Sequence, residues 1–254
     1  MQLAGKTVLV TGANRGIGRA LAEELANYPV NLLLGMRDPK AFKPITNAKA
    51  NSITLIELDL SSLVKINDGL KKASAELENL DILVNNAGQY LAGPIDKQDP
   101  EKLALMVQVN LTGLMQLTAA LLPTLTKRHG KIVNNASIVG YTYLPFNATY
   151  SATKAGVVAF SESLRRELKG KVGVLHLVTP GVQTEMMDDV NATYTKAGHP
   201  ISLKTVPAQV WARKVVKAIQ TDKTMLTPGG TTEIGRLLSR GPRFLMDIVA
   251  KRLV

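Results

Sequence analysis

Short apolar segments rich in β-branched residues alternate with helical patterns along nearly the whole chain. Seven of these segments have the composition and length of strands: 6–10, 30–35, 52–58, 81–84, 130–136, 172–178 and 225–227. Such alternation predicts a parallel sheet with helices on both of its faces. A length of 254 residues suits one such unit. We therefore expect a single doubly wound α/β domain over residues 1–254.

Composition excludes several classes of function. The chain has no cysteine, which rules out disulfides, thiolate metal sites and cysteine nucleophiles, and the histidines His129, His176 and His199 lack metal-ligand spacing. The formal charge is +11, but aromatic residues make up only 4% and no recognition helix is evident, so we expect an anionic cofactor rather than a nucleic acid. No signal peptide is evident at the start and no apolar run looks long enough to span a bilayer, which predicts a soluble, cytoplasmic protein without a metal.

The first predicted strand leads into the sequence TGANRGIG at residues 11–18, and a helical pattern follows. Glycines allow a tight turn and close backbone approach, while the start of a helix offers free amides and a positive dipole end. A glycine loop alone could be an ordinary turn. Its place at the start of a βαβ unit favours a cradle for the pyrophosphate of a dinucleotide.

Two arginines indicate which dinucleotide would bind. Arg37 follows the second predicted strand, and Arg15 lies in the glycine loop. An acidic residue at this point binds a ribose 2′-hydroxyl, whereas an arginine accommodates a 2′-phosphate. Asp38 is the competing signal, but Pro39 follows it, and the pair suits a turn. The sequence favours NADP(H) over NAD(H).

Ser137, Tyr150 and Lys154 form the candidate chemical centre. Tyr150 and Lys154 are four residues apart on a predicted helix, so their side chains share one face. A nearby ammonium favours the phenolate, which predicts a Tyr150 pKa below its usual value of about 10. Ser137, near a strand end, would hold a carbonyl or alcohol oxygen. A Tyr–Lys pair by itself could be an exposed helical pair, and Asn110, inside an apolar helix, is either a satisfied core amide or part of a polar relay.

The motifs together resemble one family, the short-chain dehydrogenases/reductases, over most of the chain. They occur in this order: residues 11–18, Asp59, the sequence NNAG at 85–88, Asn110, Ser137, Tyr150 with Lys154, and Pro180-Gly181 with Thr184. The resemblance implies a Rossmann-like fold and an NADP-preferring member whose catalytic residues are Asn110, Ser137, Tyr150 and Lys154. Tyr150 would be the general acid/base, Lys154 would lower its pKa, and Asn110 would hold a water in a proton relay.

The resemblance also implies the cofactor-binding residues, which are Gly12, Asn14, Arg15, Gly16, Ile17, Gly18, Arg37, Asp59, Leu60, Asn86, Ala87, Gly88, Tyr150, Lys154, Pro180, Gly181, Val182 and Thr184. The implied activity is NADP(H)-dependent interconversion of a carbonyl and an alcohol. An NADP-binding regulatory protein with little turnover is the alternative, and the complete set of catalytic residues argues against it. Family analogy further suggests a homotetramer or homodimer.

Two segments bear on substrate and partners. Residues 185–206 are expected to form a flap, and the predicted substrate lining is Ser137, Val139, Tyr143, Tyr150, Met186 and Met187. With no cation evident there, this lining favours a moderately hydrophobic ketone or aldehyde, unless several of these residues belong to the core. Residues 230–254 form a basic amphipathic extension. We favour a terminal helix packed on the domain or on a second subunit over a helix at an anionic membrane surface.

Overall fold

The computed structural model describes residues 1–196, 198, 204–239 and 241–242. Within them the strands are β1 (Thr7–Thr11), β2 (Asn31–Met36), β3 (Ser52–Glu57), β4 (Leu80–Asn85), β5 (Lys131–Asn135), β6 (Gly173–Leu177), β7 (Gly181–Gln183), β8 (Thr205–Pro207) and β9 (Met225–Leu226). Seven of them form one sheet in the order β3-β2-β1-β4-β5-β6-β9, and every pair is parallel. This confirms the predicted doubly wound sheet. The sequence at residues 179–184 predicts a turn after a strand, so the separate parallel pair of β7 and β8 did not follow from it.

Helices cover both faces of this sheet. The α-helices are α1 (Gly16–Leu25), α2 (Leu63–Lys72), α3 (Ser74–Leu77), α4 (Pro100–Val107), α5 (Gly113–Lys127), α6 (Val139–Thr142), α7 (Ala148–Glu167), α8 (Glu185–Lys196), α9 (Ala208–Gln220) and α10 (Gly230–Leu238). Short 3-10 turns lie at Pro39–Ala41 and Ile95–Lys97.

Successive side chains of a strand point to opposite faces, and β1 shows how this builds two cores. Val8 and Val10 pack in one cluster with residues of α1 and α9, including Trp211. Leu9, between them, packs in the other cluster with residues of α2, α5 and α7, including Leu117. Burial on both faces explains why the strands are continuous apolar runs rather than alternating ones.

The sequence from Pro100 to Lys127 predicts one long helical region with interruptions at Gly113 and Pro123. In the structure Pro123 lies inside α5, and the irregularity is a π-helical turn at Gln108–Thr112, just before Gly113. The whole run is also long and apolar enough, by length and composition, to cross a membrane, contrary to our expectation. Helices that pack in the core of a domain meet the same criterion, and 44% of the most apolar window of this run is buried inside the protein.

The predicted flap and extension lie partly within the described residues. Residues 185–196 of the flap form α8, whereas 197 and 199–203 lie outside the described residues, as do 240 and 243–254 of the extension. In α10, Arg236 is buried, pairs with Glu233, and lies 5.7 Å from the Tyr141 ring centroid on α6. This part of the extension packs on the domain, in line with the favoured alternative.

Candidate active site

A single cleft of about 590 Å³ runs along the carboxyl ends of the central strands, and it collects most of the predicted site residues. Those that line it are Gly12, Asn14, Arg15, Gly16, Ile17, Arg37, Asp59, Leu60, Asn86, Ala87, Gly88, Ser137, Val139, Tyr150, Lys154, Pro180, Gly181, Val182, Thr184, Met186 and Met187. The carboxyl ends of parallel strands meet at one edge of the sheet, so the loops that follow them converge there.

Three predicted residues do not line the cleft. Gly18 lies behind the glycine loop, where an added Cβ would come within 2.1 Å of the Gly12 carbonyl oxygen. Asn110 is buried beneath the cleft. Tyr143, predicted to contact substrate, has 61% of its surface exposed instead. Its backbone is left-handed, with a φ of 47°, and sequence patterns do not reveal such a turn at a tyrosine.

The glycine loop has the shape of a phosphate cradle. Gly12 and Gly16 adopt φ values of 65° and 55°, and a Cβ at Gly12 would lie 2.9 Å from the Ala87 Cα. The loop is tied to the end of β4, because the Thr11 hydroxyl accepts hydrogen bonds from the Asn86 and Ala87 amides at 3.0 Å. The first amides of α1 have no carbonyl partner within the helix and so are available to an anion. The loop therefore fits the pyrophosphate of a dinucleotide.

Several charged residues also line the cleft. Arg15 pairs with Glu185 at 2.8 Å, a contact between the glycine loop and α8 that the sequence did not predict. Asp38 accepts a hydrogen bond from the Lys40 amide at 3.0 Å, as expected of a turn residue. Burial raises the pKa of Asp59, but hydrogen bonds from Lys65 and Ser61 outweigh it and leave that pKa below its usual value.

Ser137, Tyr150 and Lys154 all line the cleft. Ser137 follows β5, and the other two lie in the first turns of α7. The Lys154 Nζ lies 5.7 Å from the centroid of the Tyr150 ring and donates a hydrogen bond to the Asn135 carbonyl oxygen at 2.8 Å. The Tyr90 ring meets the Tyr150 ring edge to face, with the centroids 5.0 Å apart.

Burial dominates the electrostatics of the pair. It lowers the pKa of Lys154 to about 8 and raises the pKa of Tyr150 above its usual value. The predicted lowering of the Tyr150 pKa by Lys154 is therefore not seen in this structure. The Lys154 ammonium donates to the Asn135 carbonyl oxygen, and burial of the Tyr150 phenol sets the direction of its pKa.

A family model described as short chain dehydrogenase matches residues 6–195. The chain belongs to this family. It is thus an oxidoreductase of carbonyl and alcohol groups that uses a nicotinamide cofactor, and it takes a small-molecule substrate.

Curated relatives and solved structures agree with this membership. The dehydrogenase is 35% identical over 194 residues to nodulation protein G of a Rhizobium species, covering 75% of this chain and 78% of the relative. It is 34% identical over 210 residues to a 3-oxoacyl-[acyl-carrier-protein] reductase of Haemophilus influenzae, covering 81% and 84%. A ketoacyl reductase of a Nostoc species is 32% identical over 228 residues, covering 87% and 78%.

Among solved structures, a short chain dehydrogenase from Burkholderia cenocepacia in complex with NADP has a TM-score of 0.83 at 23% identity, with all of both chains covered. A short-chain dehydrogenase from Streptomyces avermitilis has a TM-score of 0.81 at 24% identity, covering 98% of this chain and 95% of that one. At these identities the likeness shows the fold alone.

Asn110 of the dehydrogenase lies in the π-helical turn and is almost fully buried, at 1% exposure. Its Oδ1 accepts from the Gln89 amide at 2.7 Å, and its Nδ2 donates to the Gln89 carbonyl at 2.8 Å and to the Thr153 hydroxyl at 3.4 Å. These contacts satisfy the buried side-chain amide of Asn110. It fixes the chain just after Gly88 and reaches α7 beside Lys154.

Asn135 is a site residue that the sequence interpretation missed. Its Nδ2 donates to Asn86 Oδ1 at 2.9 Å, its Oδ1 accepts from the Thr179 hydroxyl, and its carbonyl oxygen holds Lys154. The side chain thus joins the ends of β4, β5 and β6. The sequence feature that could have revealed it is the pair of asparagines at the end of an apolar strand. Burying two asparagines costs free energy unless both side-chain amides are hydrogen-bonded.

Lys204 is a second residue of the cleft that the sequence interpretation missed. It belongs to the cleft lining, whereas the sequence interpretation saw no cation near the substrate. It lies shortly before β8, the strand that was not predicted, so its position relative to the cleft did not follow from local patterns.

Proposed function

We propose that this dehydrogenase uses NADP(H) to interconvert a moderately hydrophobic ketone or aldehyde with its alcohol, and that Tyr150 transfers the proton. The observation that carries the proposal is the arrangement of one cleft. Ser137, Tyr150 and Lys154 line this cleft, and so do the glycine cradle, Arg15 and Arg37.

Each side chain of the central group has a role that its chemistry supports. The Ser137 hydroxyl donates a hydrogen bond to the carbonyl oxygen of the substrate. Tyr150 is protonated at neutral pH, since burial raises its pKa, and so gives its proton to that oxygen during reduction. Lys154 is mostly charged at pH 7, with a pKa of about 8, and its ammonium stabilises the phenolate that Tyr150 becomes. A nicotinamide cofactor, held by the residues of the cleft, would supply the hydride for the carbonyl carbon.

The preference for NADP(H) rests on the two arginines. Arg37 is exposed where the 2′-phosphate would lie, and Asp38 caps a turn through its side chain. Arg15 is held by Glu185, but this ion pair is 64% and 74% exposed, so it is weak and Arg15 is free to turn to a phosphate.

The apolar walls of the cleft support the substrate class. Val139, Leu144, Met186, Met187 and Val190 line it near Tyr150, and Lys204 adds one cation. Two of the relatives are named as reductases of 3-oxoacyl or ketoacyl groups, which supports testing a 3-oxoacyl thioester among the ketones. We also propose a homotetramer or homodimer in the cytoplasm, to be checked by light scattering and fractionation.

The test is oxidation of NADPH in the presence of ketones, aldehydes and a 3-oxoacyl thioester, with Tyr150→Phe beside the wild type. Loss of the general acid lowers kcat by about 10²–10⁴-fold. Tyr28→Phe is the matched control, because Tyr28 is a partly buried tyrosine packed against the core after α1, at the opposite end of the sheet. If Tyr150→Phe keeps its turnover, Tyr150 does not transfer the proton. Tight NADPH binding without turnover in either direction would favour the regulatory alternative.

A further inference from the structure

Helix α8 covers the substrate end of the cleft and is held there by one buried side chain. Of its twelve residues, all of which the structure describes, Tyr194 alone is buried, at 0% exposure. Met186, Met187 and Val190 of the same helix line the cleft and are only partly buried. Beyond the first turn of α8, the buried contact between this helix and the rest of the domain is therefore concentrated at Tyr194.

The Tyr194 side chain is bound to the loop at residues 143–147, which leads into α7. Its hydroxyl donates a hydrogen bond to the Pro145 carbonyl oxygen at 2.6 Å and accepts one from Asn147 Nδ2 at 2.7 Å. Its ring meets the Phe146 ring edge to face, with the centroids 5.6 Å apart. Both hydrogen bonds depend on one oxygen atom, which makes the contact removable without loss of the ring.

The loop that Tyr194 holds is conformationally costly. Tyr143 and Phe146 have φ values of 47° and 61°, in the left-handed region that residues other than glycine seldom adopt. Such residues persist only where surrounding contacts fix them. Besides Tyr194, the Gly93 amide holds the Phe146 carbonyl at 2.8 Å.

The same loop sets the start of the helix that carries Tyr150. The Asn147 carbonyl accepts the Ser151 amide at 2.7 Å, in the first turn of α7. Tyr150 lies three residues after Asn147, so a shift of the loop would shift the phenol. Tyr194 thus connects α8 to the position of Tyr150.

We propose that Tyr194 is a positioning residue that latches α8 closed over the substrate and, through the 143–147 loop, sets Tyr150 for reaction. This rests on the proposed function. Release of the hydroxyl frees α8, with Met186, Met187 and Val190, so that substrate enters and product leaves. Closure then restores the apolar wall beside Tyr150 and excludes water, as lids do in other enzymes.

The test is Tyr194→Phe, which keeps the ring and removes the hydroxyl, with Tyr28→Phe as the control. Loss of two hydrogen bonds, each of modest net strength, lowers the ratio of closed to open α8 by about tenfold or more. We expect kcat/KM for the ketone to fall about tenfold, mainly through KM, with the NADPH dissociation constant changed less than about twofold. Amide hydrogen exchange without substrate should be faster in 143–147 and 185–196, while α9 exchanges as in the wild type.

The outcomes separate this proposal from the proposed function. Unchanged KM and unchanged exchange in α8 would overturn the latch, as would a fall in kcat alone or a parallel loss of NADPH affinity. If the wild type reduces no ketone or aldehyde, the proposed function fails, while the exchange measurement still decides whether Tyr194 holds α8.

Discussion

Burial of the Lys154 ammonium makes the stability of this protein depend on pH. The side chain is 6% exposed, and burial lowers its pKa from 10.5 to about 8. At about 1.4 kcal/mol per pKa unit, holding the charged form inside the folded protein costs about 3 kcal/mol. The cost is fully present below pH 8, where the ammonium is charged in both the folded and the unfolded states.

The cost disappears as the pH rises. Between about pH 8 and 10.5 the folded protein loses the Lys154 proton while the unfolded chain keeps it, so the unfolded state binds more protons and stability rises with pH. Lys154→Met removes the titration. We therefore expect the free energy of unfolding of the wild type, relative to this variant, to increase by about 2–3 kcal/mol from pH 7 to pH 10.

Urea unfolding of both proteins without cofactor at pH 7, 8.5 and 10 measures this difference. Lys154→Met also loses the hydrogen bond to the Asn135 carbonyl oxygen, and this changes its free energy of unfolding. Because the carbonyl has no titrating proton, that change is the same at each pH and does not produce the expected trend. Lys71→Met, at an exposed lysine of α2, should show no such trend. If the free energy of unfolding changes with pH in the same way for the wild type and for Lys154→Met between pH 7 and pH 10, the reasoning is refuted.

Two further substitutions test other parts of the molecule. Arg37→Glu should lower the ratio of kcat/KM for NADPH to that for NADH at least about tenfold, because a carboxylate would repel the 2′-phosphate; an unchanged ratio would mean that selectivity lies elsewhere. Asp81→Asn should lower the free energy of unfolding by about 2–3 kcal/mol in urea, because the buried Asp81 carboxylate accepts from the Thr7 amide, Lys6 and Arg128. The folded Asp81→Asn protein should keep its kcat at 25 °C, and a loss of kcat without a loss of stability would contradict a structural role.

The main sheet was predictable because its strands are buried on both faces. Runs such as Val8–Val10 and Ile82–Val84 must then be apolar throughout, and sequence shows this directly. The strands β7 and β8 have three residues each, β7 directly follows Pro180 and β8 ends at Pro207, so no period can be recognised in them. Helix α8 was missed for a different reason, since one buried side chain in twelve residues leaves no apolar stripe.

The site was predictable in its residues but less so in their partners. Motifs at a strand end and on a helix predicted Ser137, Tyr150 and Lys154, because the predicted chemistry needs these particular side chains, and all three line the cleft. The direction of the Tyr150 pKa was wrong, because it depends on how far packing excludes water from the phenol. The partners of Arg15 and Asn110 are likewise set by tertiary contacts with Glu185 and Gln89, which are distant in sequence.

Two energetically costly features lie close to Tyr150 in the chain, one on each side of it. Before it, Tyr143 and Phe146 hold left-handed backbone, and after it Lys154 holds a buried ammonium. The intrinsic backbone preference of tyrosine and phenylalanine disfavours the first feature, and the hydration of an ammonium disfavours the second. Features of this kind concentrate where function requires a fixed geometry. The contacts that offset them are specific: Tyr194 and Gly93 hold the loop, and the Asn135 carbonyl holds the ammonium. Because the two sets of contacts come from separate elements, α8 and β5, the position of Tyr150 and the charge beside it can be altered independently. Tyr194→Phe should then act on KM without changing the pH dependence of stability, and Lys154→Met should change that pH dependence without faster amide exchange in α8.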